Sequence, residues 1–97
     1  MRLDPNKEKR EASQYILAYL LDNPDAGDTF DGIVEWWLLS QRIRFETRTV
    51  SEAVAKLVAD GLIVEQKGPD SRIIYKASQT VANIQARLRE IRDSLDE

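Results

Sequence analysis

The 97-residue chain has no cysteine and no histidine. Without cysteine there is no disulfide framework and no thiolate for a metal site. Without histidine as well, zinc ligation, a Cys-His nucleophile pair and general-base work near neutral pH lose their usual residues. Glycine is scarce, and its four copies stand apart, so no Gly-rich phosphate loop is present. No run of about 18 apolar residues occurs, so no membrane-spanning helix is expected. Met1-Arg2-Leu3-Asp4-Pro5 leads into charge rather than an apolar stretch, which gives no secretory signal. These absences lead to the expectation of a cytoplasmic protein that is not an enzyme and holds no cofactor and no metal.

What is present is one domain's worth of chain, with 42% apolar and 32% charged residues. The net charge is −3, but it is unevenly spread. Residues 1–41 carry four basic and eight acidic side chains, whereas residues 42–76 carry seven basic and five acidic ones. The positive excess thus falls in one segment, as a nucleic-acid surface requires. Asp22, Asp25, Asp28, Asp31 and Glu35 form an acidic series without the ligand pattern of a calcium loop. Helix capping and dipole complementarity account for most of it.

Asp4-Pro5 reads as a helix start. Ala12, Tyr15, Ile16, Tyr19 and Leu20 then recur at helical spacing as far as Asp22. The breaker cluster Asn23 to Asp28 ends that helix. A second helix begins near Thr29, capped by Asp28, Thr29 or Asp31. Its stripe is Phe30, Ile33, Val34, Trp37 and Leu38, with Trp36 and Leu39 well off it. Gln41 to Thr47 reads as a turn, with Ile43 and Phe45 inward and Arg42 and Arg44 outward. A third helix is expected from Arg48 to Asp60, capped by Thr47 or Thr49, with Val50, Ala53, Val54, Leu57 and Val58 as its apolar set. Gly61 supplies its stop. Strands at Leu62–Gln66 and Arg72–Lys76 flank the turn-forming Gly68-Pro69-Asp70. A last helix, 79–95, carries Val81, Ile84, Leu88, Ile91 and Leu95 in a narrow stripe of three- and four-residue steps that matches a two-helix seam.

The stretch Ala55 to Val64, a helix closing on Asp60-Gly61-Leu62-Ile63 followed by a basic hairpin, resembles the winged helix-turn-helix superfamily. The resemblance covers residues 29–76, and the first helix completes a three-helix core. It implies a mainly α fold with a small β-hairpin: a domain over 1–78 with a two-stranded wing. The narrow stripe makes the C-terminal helix, 79–97, the expected dimerisation element. The resemblance also implies a regulator binding double-stranded DNA, the third helix in the major groove and the wing on phosphates, and the stripe makes that regulator dimeric. The expected DNA-facing residues are Arg42, Arg44, Thr47, Arg48, Thr49, Ser51, Glu52, Lys56, Lys67, Arg72 and Lys76. Val81, Ile84, Leu88, Ile91 and Leu95 are the expected homodimer seam. The turn before the third helix is longer than the usual three or four residues. The alternative is a winged-helix protein-interaction module without DNA binding, its partner seated at Trp36 and Leu39. Glu52 on the reading face and the negative net charge favour that alternative.

Overall fold

The computed structural model describes residues 5–39, 45–78 and 81–95. Helix α1 (Pro5–Asp22) is followed by a two-residue strand, β1 (Gly27–Asp28), and a short helix, α2 (Phe30–Gly32). That helix widens at once into a π-helical segment, Ile33–Leu38. Helix α3 (Thr47–Ala59), strands β2 (Ile63–Lys67) and β3 (Ile73–Ala77), and helix α4 (Val81–Leu95) complete the chain.

Helix α1 is the axis of the structure, packed on α4, on α3 and on the π-helical segment. Ala12, Ile16 and Leu20 are fully buried, as their four-residue spacing requires, and Tyr15 and Tyr19 are half-buried. Ser13 and Leu17 are buried too, which a single stripe does not explain. The reason is that α1 is covered from several sides rather than resting on one.

The second helix starts where its sequence indicates. Thr29 is the N-cap, its hydroxyl accepting from the Gly32 N–H at 3.1 Å. The π-helical hydrogen bonding, i to i+5, was not foreseen. It brings Ile33, Trp37 and Leu38, at steps of four and five, onto the core side. Trp37 stacks on Tyr19 with ring centroids 4.8 Å apart. Trp36 is left 68% exposed and Leu39 50% exposed. Phe45 turns inward, as expected, against Tyr15 at 6.1 Å. Arg42, Ile43 and Arg44 lie outside the described residues.

The expected two-stranded hairpin is a three-stranded antiparallel sheet in the order β1-β3-β2. Gly27 pairs with Lys76 and Asp28 with Tyr75. A strand of two residues has no alternation to betray it, so the segment read as breakers alone. A side chain at Gly27 would meet the Lys76 stem, its Cβ only 2.7 Å from Cγ. Strands β2 and β3 each run one residue later than their sequence suggested, and the connecting turn holds Ser71 at φ 71°. Glycine would take that left-handed conformation more readily.

Helix α4 lies against α1 and leaves Trp36 and Leu39 uncovered. Its Ile84 and Leu88 belong to the same core as α1 and α3, 2% and 3% exposed. Ile91 packs half-buried at the edge of that core. Two residues of the stripe expected to form a seam between copies, Ile84 and Leu88, thus belong to the core of one.

Candidate nucleic-acid interface

Helix α3 is divided lengthwise. Val50, Ala53, Val54 and Leu57 face the core, spaced as the sequence indicated. Thr47, Arg48, Ser51, Glu52, Ala55 and Lys56 form the opposite face, all exposed, while Thr49 is half-buried at its margin. The helix begins one residue earlier than expected. Glu46 is its N-cap rather than Thr47 or Thr49, and no side chain caps it. The backbone N–H groups of its first turn are thereby left without an intrahelical or side-chain acceptor from the cap. A helix N-terminus in that state offers donors and a partial positive charge to an anion.

The far end of α3 is anchored firmly. Gly61, at φ 78°, follows the C-cap Asp60. The Leu62 N–H reaches the Leu57 carbonyl at 2.9 Å and the Gly61 N–H reaches Val58 at 3.0 Å. This is a Schellman closure, and only glycine takes its left-handed position cheaply. The Ser78 hydroxyl donates to the Gly61 carbonyl, and the Ser78 N–H donates to the Leu62 carbonyl at 3.1 Å. The end of β3 is thus tied back to the end of α3.

A second anchor had no signal in the sequence. Asp60 accepts from Arg87 of α4 at 2.6 Å and pairs with Lys56 at 3.4 Å. Arg87 also meets Glu90 at 3.3 Å. The Arg87 hydrogen bond holds the Asp60 carboxyl below its ordinary pKa of 3.8, against the desolvation that raises it and with help from Lys56. Residues 60 and 87 belong to different helices, so no periodicity connects them.

The expected basic set is tempered by neighbouring acids. Arg48, its side chain 88% exposed, bonds Glu52 one turn later at 3.2 Å. Lys56 leans toward Asp60, and Arg72 pairs with Asp70 at 3.0 Å. The Arg48–Glu52 and Arg72–Asp70 pairs are exposed, and such pairs contribute only about 0.2–1 kcal/mol, so a phosphate can displace their carboxylates at little cost. The hairpin cations do not converge. Lys67 pairs across from Ile73, and Lys76 from Val64. Positions 73 and 76 of β3 lie on opposite faces of a pleated strand, so Lys67 and Lys76 do too. Tyr75, opposite Glu65, has its phenol pushed above the ordinary pKa of 10.0 by burial and then by the Glu65 charge. Arg42 and Arg44 lie outside the described residues, as does the side chain of Val81; Leu95 is half-buried. Among the described residues there is no group of three or more acidic, histidine or cysteine side chains placed to hold a metal ion. No described helix is long and apolar enough to cross a membrane.

No protein-family model matches the chain, and no curated protein sequence matches it. Solved structures of one transcriptional regulator do. The 2,4-dichlorophenol-bound form of the organohalide-sensing transcriptional regulator RdhR is 26% identical over 86% of this chain, with a TM-score of 0.57. Its ligand-free form is 20% identical over 94% of this chain, with a TM-score of 0.60. The chain spans about half of that regulator's length, 46% and 54% in the two comparisons. The architecture of four helices and a small antiparallel sheet is therefore similar to part of a transcriptional regulator.

Proposed function

We propose that the chain is a winged helix-turn-helix regulator of transcription that binds duplex DNA through α3. The observation that carries this reading is the combination of an uncovered outer face on α3 with firm anchorage behind it. A helix presented in that way fits the major groove. Thr47, Arg48, Thr49 and Ser51, near its N-terminus, are placed to meet bases and phosphates. The β2–β3 hairpin is the wing, with Lys67 and Arg72 near its tip as phosphate contacts. Similarity to a transcriptional regulator supports the same reading.

One module buries only about 600–1,000 Å² on DNA, and two copies on a two-fold site double that surface. A pair of copies would have to leave Ile84 and Leu88 where they are. Among the described residues, the half-buried Ile91 and Leu95 and the exposed Trp36, Leu39, Val64 and Ile73 are apolar positions open to such a contact.

The test is selection of bound sequences from a pool of random duplexes. Enrichment of a short motif, lost with Arg48→Ala, is the expected result; a pool that stays random after repeated rounds would overturn the proposal. A second reading, a protein-interaction module, is favoured by the carboxylates beside Arg48, Lys56 and Arg72 and by the exposed Trp36. That reading expects no enrichment, and a partner whose binding is weakened by Trp36→Ala.

A further inference from the structure

A cleft of about 240 Å³ opens between α1, the last turn of α3 and α4. Its walls are mostly apolar, with Leu57 and Ile91 among them. Ser13, the one polar residue that is buried among the described residues, also lines it. The charged lining is lopsided. Four cations stand against two carboxylates, and both carboxylates, Asp60 and Glu90, are engaged by Arg87. Lys9 and Arg10 line the same cleft, and no carboxylate among the described residues pairs with either. The Arg10 Nε is buried and has no hydrogen-bond partner among the described residues. A buried charged donor without an acceptor is costly, which marks Arg10 as a cation not yet compensated among the described residues.

We propose that this cleft is a binding site for a small organic anion, a carboxylate carried on a single apolar ring, whose oxygens are met by Arg10 and Lys9. The two parts of the ligand follow from the two parts of the cleft. Guanidinium and carboxylate match in shape and charge, and their hydrogen bonds are stronger than neutral ones. An apolar protein cavity of about 150 Å³ admits benzene. The larger space here has room for a ring together with its carboxylate. Arg87 does not recognise the anion; Asp60 and Glu90 hold it in the wall. The site stands on the cleft alone and does not depend on α3 binding DNA.

Titration calorimetry of the whole chain with sodium benzoate tests the proposal, with benzamide and acetate as controls. Benzoate should bind saturably at one site. Benzamide lacks the charge and acetate lacks the ring, so each should bind at least about tenfold more weakly. Arg10→Met keeps the aliphatic stem and removes the donors, and should cost a similar factor with an unchanged circular dichroism spectrum. Benzoate should move the backbone amide resonances of residues 9–13, 56–60 and 87–94. Should Arg10→Met fail to fold, Ser94→Leu, which narrows the cleft, should abolish binding. No saturation up to roughly 10 mM benzoate would overturn the proposal. Resonance shifts confined to another surface, or equal affinity for benzoate and benzamide, would do the same.

Discussion

Truncating Leu88 to alanine distinguishes a helix that completes its own core from one that waits for a partner. Leu88 is 3% exposed and sits in one core with Ile84, α1 and α3. Removing a buried leucine side chain costs about 2–5 kcal/mol, the spread reflecting how far the cavity collapses. Partial closure of the neighbouring side chains over the space left argues for the middle of that range, about 3 kcal/mol. Domains of this size are stable by about 5–15 kcal/mol, so the loss is a large fraction. It corresponds to a fall in Tm of roughly 12–24 °C, at about 4–8 °C for each kcal/mol. Urea unfolding followed by tryptophan fluorescence is the assay, since Trp37 is stacked on Tyr19 inside the core. The midpoint should fall by the same amount at low and high protein concentration, because the contact lies within one chain. A loss under about 1 kcal/mol, with a wild-type midpoint that rises with concentration, would refute the reasoning and return α4 to an interface between copies.

Three further outcomes follow from the same packing. The adjacent tryptophans should behave oppositely: Trp37→Ala should cost about 3–5 kcal/mol and Trp36→Ala less than about 0.5 kcal/mol in urea unfolding followed by circular dichroism. Gly61→Ala should cost about 1–2 kcal/mol by thermal unfolding, because the Schellman closure requires a left-handed residue there. Asp60 has its pKa depressed in the folded state, so its contribution is present above the ordinary value of 3.8 and lost as pH falls through the lower folded value. Unfolding free energies between pH 5 and pH 2 should show a shallower acid decline in Asp60→Asn than in the wild type.

Long elements with a clear period were legible in the sequence. The apolar sets of α1 and α3 occupy the core very nearly as their spacing implied, and Gly61 closes α3 as its position beyond the last apolar residue suggested. Elements too short to have a period were not legible. Strand β1 is two residues long, and its partner lies nearly fifty residues away in β3. The π-helical segment uses the same apolar residues that an α-helix would, so no residue type announces it. The α4 stripe shows a deeper limit: a narrow apolar line looks the same whether it meets a neighbouring helix or a second copy, and only the packing of α1 decides. For the candidate interface, spacing placed Thr47, Arg48, Ser51, Glu52 and Lys56 on one outer face. It did not reveal that Arg48 is held by Glu52 or that Lys56 turns to Asp60, because ion pairs depend on rotamers. Nor did it show that Lys67 and Lys76 fall on opposite faces, which the strand register sets.

The proposed role of α3 is tested most directly by fluorescence anisotropy of a labelled duplex titrated with the chain at 50 and 200 mM salt. Three phosphate contacts would release enough counterions to weaken binding roughly fortyfold across that fourfold change in salt. Glu52→Ala, which frees Arg48, should tighten binding at both salts, and Arg48→Ala should weaken it and flatten the salt dependence. Saturable binding with that pattern is the predicted result. No binding at 50 mM salt, or binding indifferent to both substitutions, would contradict the assignment of α3 as the DNA-reading helix.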